Sequence, residues 1–279
     1  MTAEQHPGVA IVTGAGRHRG IGRAIALRLA SDGFDVVVHH RSADSSLTDA
    51  ERDIRWRGAD SVVDEIIGTR GRAVSVAGDI CEASTAEALA AAAIELGQLA
   101  VLVNNHGTAG EANSYMAHET PESVWDDTLR INLRSLFTLT STLVPTMAGS
   151  DASRKSIVHL SSTAGHRALG RYGAYCASKA AVERLTEQQA IELARYGIRV
   201  NCVAPGMTPT DMIDATIARA AVAARTDSDA ITEATRRRIP LRRLGTTAEI
   251  ASAVSFLVGP DGSYVTGQIL TVDGGMSLQ

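Results

Sequence analysis

Cysteine is scarce in this chain: Cys81, Cys176 and Cys202 are three in 279 residues, and no two have the spacing of a metal-binding pair. So small and dispersed a set excludes a disulfide framework and a CxxC zinc site, leaves no expected metal, and fits a reducing, cytoplasmic compartment. An excess of positive charge is also missing. Lys+Arg 27 against Asp+Glu 31 gives a net charge of −4, so nucleic acid and anionic lipid lack the broad basic surface they would need. Nor is there a long apolar run. The most apolar stretch, residues 86–103, is broken by Glu87, Glu95 and Gln98, and reads as Ala-rich helix followed by strand, not as a membrane span. Glu4, Gln5, His6 and Pro7 precede the first apolar residues, without the basic-then-apolar order of a secretory leader. What remains is an ordinary globular composition, with 44% hydrophobic and 21% charged residues, expected to fold around one core.

Short β-branched runs alternate with helical patterns. Val9–Thr13, Val36–His39, Ala73–Ala77, Ala100–Asn104, Ile157–Ser161, Ile198–Ala204 and Gln268–Val272 are the strand candidates, most of them continuously apolar, as strands covered on both faces are. This predicts an α/β chain of one domain, residues 1–279, with a doubly wound, seven-stranded parallel sheet and helices on both faces. Ile21, Ile25 and Leu29 share a helical face that Gly33 ends. Ser84-x-x-Glu87 and Thr246-x-x-Glu249 read as capping boxes, and Thr120-Pro121 as an N-cap with proline at the first helical position. Two segments look inserted: polar Ser42–Asp60, and the long Met207–Arg243, Ala-, Thr- and Arg-rich, expected to be a mobile substrate lid.

Strand Val9–Thr13 runs into Thr13-Gly14-Ala15-Gly16-Arg17-His18-Arg19-Gly20-Ile21-Gly22 and then a helix. Glycines at such a turn let the backbone approach a pyrophosphate, whose charge is favoured by the free N–H groups of the helix start. The spacing is not GxGxxG. Downstream, Tyr175 and Lys179 lie i, i+4 on a helical pattern, which puts an ammonium beside a phenol.

Taken in order, these motifs resemble the short-chain dehydrogenase/reductase family over residues 8–276, and most nearly its 3-oxoacyl-(acyl-carrier-protein) reductases. The glycine segment is similar to TGxxxGxG with two extra residues between Gly14 and Gly20. Asn104-Asn105-His106-Gly107 resembles NNAG with His106 in place of Ala, and Ser162 precedes Tyr175-Cys176-Ala177-Ser178-Lys179, the family's YxxxK. Pro205-Gly206, with Thr208 and Thr210, resembles PGxxxT, and Val272-Asp273-Gly274-Gly275 resembles VDGG. The resemblance implies hydride transfer between nicotinamide and a ketone or secondary alcohol. Tyr175 would be the proton donor, Ser162 would bind the carbonyl oxygen, and Lys179 would lower the phenol's pKa. Asn132 would hold a water next to the lysine. It further implies that Gly14, Gly20, Ile21, Gly22, Asn104, Gly107, Tyr175, Lys179, Pro205, Gly206, Thr208 and Thr210 hold the cofactor, with Asp79 and Ile80 on its adenine.

After the second strand His40 and Arg41 stand where an acidic residue would select NAD. Arg41, with Ser42 and Arg19, therefore points to NADP, since a guanidinium suits a phosphate. Arg17 is the alternative second cation, and solvated surface the bland reading of it. Substrate identity is poorly encoded. His106, His166, Arg167, Arg171 and Tyr172 flank the catalytic positions and make a candidate polar pocket. Arg236–Arg238 and Arg242–Arg243 are candidates for a phosphopantetheine arm, against the plainer reading of solvated helix ends. An acyl thioester, a cyclic ketone, a sugar and a polyol stay open. Two rivals also stand: an enoyl thioester reductase, because Tyr172 to Lys179 fits that branch's longer spacing, and a noncatalytic NADP-binding regulator. The family resemblance implies a homotetramer around the helices from Pro121 and Tyr175 and the C-terminal strand, with the tail Met276–Gln279 near the contact.

Overall fold

In the computed structural model, which describes residues 6–41, 47–109 and 115–278, the seven apolar runs are β1 (Val9–Val12), β2 (Asp35–His40), β3 (Ala73–Ala77), β4 (Leu99–Asn104), β5 (Lys155–Leu160), β6 (Ile198–Pro205) and β7 (Ile269–Val272). They form one sheet in the order β3-β2-β1-β4-β5-β6-β7, and every neighbouring pair is parallel. Parallel neighbours require crossovers, supplied by α1 (Ile21–Ser31), α2 (Asp49–Asp53), α3 (Ala59–Gly68), α4 (Ala83–Leu96), α5 (Glu122–Leu129), α6 (Ser135–Ala148), α7 (Gly173–Leu193), α8 (Asp211–Ala224), α9 (Ser228–Arg238) and α10 (Thr247–Val258). The strand order reverses between β1 and β4, and ligands of doubly wound sheets bind in the crevice at that reversal.

Because successive strand residues point to opposite faces, each strand feeds two cores. Val12, Val38, Val103 and Val158 pack with Ile25 and Leu29 of α1, Ile66 of α3 and Val254 of α10. Ile11, Val37, Leu102 and Ile157 pack with Leu89 of α4 and Leu139, Leu143 and Met147 of α6. Each fully buried Leu or Ile contributes roughly 1.5–3 kcal/mol relative to exposure. The two layers fix the strands, and with them the loops at their carboxyl ends.

Local signals divided. Thr246 and Glu249 form the expected capping box at α10. Ser84 does not cap: α4 begins one residue before it, after Glu82. Thr120 is not the cap of α5 either; Pro121 takes that place, and the Thr120 hydroxyl donates back to the Met116 carbonyl at 3.1 Å. The 42–60 insertion carries a capping box of its own, Thr48 with Glu51, at α2. Residues 207–243 hold two helices, α8 and α9, anchored by buried Ile217, Ala221 and Ile239. Among the described residues, no helix is long and apolar enough to cross a membrane.

Candidate active site

At the carboxyl ends of the central strands a cavity of about 710 Å³ is lined by Gly14, Gly20, Ile21 and Gly22 on one side and by Tyr175, Lys179, Pro205 and Thr210 on the other. Gly14 adopts φ +63°, and a Cβ there would lie 2.8 Å from His106 Cα; at Gly22 a Cβ would lie 2.6 Å from the Gly14 carbonyl oxygen. Both positions therefore demand glycine. Gly20 is the N-cap of α1 and offers no side-chain cap, so the first N–H groups of α1 remain for an anion in the cavity.

The two extra loop residues are braced by the 42–60 insertion. Trp56 Nε1 donates to the Gly16 carbonyl at 2.7 Å. The buried Glu51 carboxylate accepts from the His18 amide at 2.9 Å and from Arg17 Nη1 at 2.8 Å. These bonds, the Thr48 amide among them, hold its carboxyl below the usual range against the opposing effect of burial. Nothing local in the sequence announces these contacts.

His106, the departure from NNAG, is buried and fully committed. Its Nε2 meets Ser135 Oγ at 2.8 Å and its Nδ1 meets Thr13 Oγ1 at 2.7 Å. Each hydroxyl also lies on a backbone carbonyl, Ser135 on Ile131 and Thr13 on Val103, and the single proton of the neutral ring serves one of the two contacts. Burial pushes His106 down to about 3, so the ring is neutral. It ties β1 to the start of α6 and leaves no nitrogen for substrate.

On the catalytic side α7 carries Tyr175 and Lys179 one turn apart. Lys179 Nζ donates to the Leu160 carbonyl at 2.7 Å and lies 5.8 Å from the Tyr175 ring centroid. Burial pushes the lysine down to about 8. It also pushes the Tyr175 phenol up, with the Ser162 hydroxyl acting against it by hydrogen bonding. The ammonium sits over the ring face and is turned to the Leu160 carbonyl. Asn132 lies in a π-helical turn, Arg130–Arg134, between α5 and α6. Its Oδ1 accepts from the Thr108 amide at 2.7 Å, and its Nδ2 donates to the Thr108 carbonyl at 2.8 Å and to Ser178 Oγ at 3.0 Å. A Cβ on Gly107 would stand 3.2 Å from Asn132 Oδ1 and 3.4 Å from Lys179 Nζ, so the three meet at one point.

The remaining nominated residues separate. Asp79 and Ile80 line the cavity, and Asp79 accepts from the Cys81 amide at 2.9 Å, which holds its carboxyl low. Arg41 lines the cavity and is exposed; Ser42 lies outside the described residues. Arg17 reaches the cavity as well. Arg19 pairs instead with Asp214 at 2.6 Å and Asp211 at 3.8 Å, at the start of α8. Asn104 is buried, with its amide on Thr140 and His159. Gly206 packs on Asp273, where a Cβ would stand 2.6 Å from the Asp273 side chain, and Thr208 is buried behind it. Arg167 donates to the Met276 carbonyl at 2.8 Å. Arg236 and Arg237 pair with Glu233, and Arg243 with Glu249, as solvated helix ends do. Among the described residues, no group of three or more His, Cys, Asp or Glu is placed to hold a metal.

Residues 14–277 match a family model described as enoyl-(acyl carrier protein) reductase. A Staphylococcus aureus protein, 3-oxoacyl-(acyl-carrier-protein) reductase FabG, is 35% identical over 96% of this chain and 98% of its own length. Two solved structures superpose over 98% of both chains: an actinorhodin polyketide ketoreductase variant with NADPH, at TM-score 0.85 and 30% identity, and levodione reductase, at 0.84 and 27%. With the sheet order, the glycine turn and the Tyr175–Lys179 pair, these matches make the chain a member of the short-chain dehydrogenase/reductase family, oxidoreductases that act on CH–OH and C=O groups with a nicotinamide cofactor.

Proposed function

We propose that the chain is an NADP-dependent reductase of ketones, of the 3-oxoacyl thioester type, with Tyr175, Ser162, Lys179 and Asn132 as its catalytic set. The observation that carries this reading is the meeting of Tyr175 with Ser162 and Lys179 beside the cavity that Gly14, Gly20 and Gly22 open. Those glycines and the open start of α1 fit a dinucleotide pyrophosphate; Asp79 and Ile80 would border the adenine, and Gly107, Lys179, Pro205 and Thr210 the nicotinamide half. The bound cofactor supplies a hydride to the carbonyl carbon. Tyr175 donates its hydroxyl proton to the carbonyl oxygen, and Ser162 donates a hydrogen bond to the same oxygen as charge develops there. The Lys179 ammonium stabilises the phenolate that Tyr175 becomes. Asn132, bonded to Thr108 and Ser178, holds the Gly107 turn against the lysine.

Exposed Arg41 at the adenosine end supports NADP over NAD, with Arg17 beside it in the cavity; Arg19 serves the lid. Arg41→Asp places a carboxylate where the 2′-phosphate would sit, and is expected to reverse or abolish the preference for NADPH. Comparable kcat/KM with NADPH and NADH in the unmodified enzyme would overturn the assignment. Following NADPH absorbance with acetoacetyl thioesters, cyclic ketones, sugars and crotonyl thioesters tests substrate class.

An enoyl thioester reductase is the second reading, favoured by the description of the matching family model. Against it, Tyr172, whose distance from Lys179 fits that branch, is the N-cap of α7 and stacks edge-on beside Tyr175 at 6.4 Å without lining the cavity. Turnover of crotonyl thioesters alone would replace the ketone reading, and turnover of nothing would leave the regulator.

The proposed setting is cytoplasmic and the proposed assembly a homotetramer. Trp125 and Phe137 are exposed, and a groove of about 990 Å³ between the α5–α6 region and α7 is lined by Leu133, Phe137 and Leu185. Covering these side chains is what a second copy in the proposed assembly would do. Sedimentation as a monomer at micromolar concentration would rule the tetramer out.

A further inference from the structure

Tyr175, Lys179 and Glu183 follow at i, i+4 and i+8 along α7 and share a face. The first two belong to the proposed catalytic set. Glu183 has no part in it, yet its side chain is buried at 5% exposure, and a buried carboxylate is costly unless its oxygens are bonded. Its Oε1 accepts from Ser161 Oγ at 2.9 Å and takes the Nδ1–H of His166 at 3.2 Å. The turn Thr163–Gly165 between those residues passes so close that a Cβ on Gly165 would stand 2.3 Å from the same oxygen. Ser161 Oγ also lies 3.2 Å from the Lys179 carbonyl. Ser162 is enclosed by these ties. Its Oγ accepts from the Ala164 amide at 3.2 Å, which leaves its own proton to be donated.

We propose that Glu183 is a positioning residue: it fastens the Ser162 turn to the helix that carries Tyr175, so that the two hydroxyls meet on one carbonyl oxygen. The proposal rests on the assignment of Ser162 and Tyr175 to the carbonyl. It accounts for a buried acidic group that neither the sheet nor the cofactor cavity calls for. One carboxylate oxygen gathers a residue on each side of Ser162, and two hydroxyls that share a small target lose rate steeply when one drifts.

The test compares Glu183→Ala, Glu183→Gln and Ser161→Ala with the unmodified enzyme. It measures kcat and KM on acetoacetyl-coenzyme A, NADPH affinity by calorimetry, and the crystal structure of each variant. Glu183→Ala is expected to lower kcat by about 10–100-fold while KM and NADPH affinity stay within about threefold, the pattern of an interaction made in the transition state. Glu183→Gln keeps an acceptor oxygen and is expected to restore kcat to within about threefold. Ser161→Ala, which removes one tie without changing charge, should fall between. Unchanged kcat in Glu183→Ala, a Glu183→Gln variant as slow as Glu183→Ala, or equal losses of kcat and NADPH affinity would overturn the proposal. So would a Glu183→Ala crystal structure with Ser162 still in place against Tyr175, whatever the substrate proves to be. Tyr175→Phe separates the two readings: if it stays active, the carbonyl assignment fails; if it is dead while Glu183→Ala keeps the full kcat of the unmodified enzyme, only the role of Glu183 fails.

Discussion

A single titration sets two opposed trends at Lys179. Burial holds its ammonium at about 8, below the ordinary lysine value of 10.5. The unfolded chain therefore binds this proton more tightly, so the penalty of the buried charge is present in full below pH 8 and is relieved as pH rises from there toward the unfolded value. In the proposed reaction the ammonium is also what would stabilise a Tyr175 phenolate. Raising the pH through about 8 is thus expected to increase folding stability from this site while lowering kcat/KM for ketone reduction by the free enzyme. A pH–rate profile beside urea melts checks both, and a rate that stays flat to about pH 10 counts against charged Lys179 in the reaction. Tyr175→Phe removes the proton and keeps the ring, so the loss should be on the order of 10²–10⁴ in kcat with cofactor affinity intact. If Tyr172→Phe proved the crippling change instead, the enoyl reading would take over.

At the scale of elements, the longer glycine loop and the 42–60 insertion act as one unit. Trp56→Phe keeps the aromatic body but leaves the Gly16 carbonyl without its donor. A buried acceptor left unpaired costs about 1–3 kcal/mol, and if the brace shapes the phosphate site, roughly tenfold of NADPH affinity goes with it. Calorimetry decides: a lower Tm with unchanged NADPH affinity would make the brace structural only. The α8–α9 segment, the proposed lid, is tied to the same loop through Arg19 and Asp214. NADPH should therefore slow tryptic cleavage at Arg219, Arg225 and Arg236–Arg238; equal rates with and without it would sink the lid. All seven strands were legible in the sequence because an apolar β-branched run buried on both faces carries its own signature, as Ile157–Ser161 does. The four residues proposed as catalytic, Asn132, Ser162, Tyr175 and Lys179, were nominated through their ordered spacing. What stayed hidden depends on distance in the chain: Glu51 on Arg17, Trp56 on Gly16, Glu183 on Ser161 and Arg19 on Asp214 have no local pattern. The misread caps at Ser84 and Thr120 fail for a related reason: a hydroxyl near a helix start has other backbone partners within reach, and Thr120 chose Met116.

Three histidines buried in separate elements give the whole molecule a common response to acid. His39 bonds the Gly14 amide and the Gly78 carbonyl, His106 bonds Thr13 and Ser135, and His159 bonds Asn104 and Gln189. Burial pushes them down to about 4, 3 and 4 respectively. Each is neutral when folded and takes up a proton on unfolding below its ordinary value of 6.5, so their share of the stability is whole above about pH 6.5 and is lost as pH falls toward 4. With three protons taken up, the slope approaches roughly 4 kcal/mol per pH unit near pH 5. Urea titrations at intervals between pH 7 and about pH 4.5 would measure it, and a slope below that of one proton would contradict the burial of these rings. If the protein is also a tetramer, its unfolding midpoint rises with protein concentration. Histidine uptake depends on pH alone, so repeating the titrations at two concentrations separates them. A midpoint shift that is the same at every pH belongs to assembly, and a slope against pH that is the same at both concentrations belongs to the buried rings.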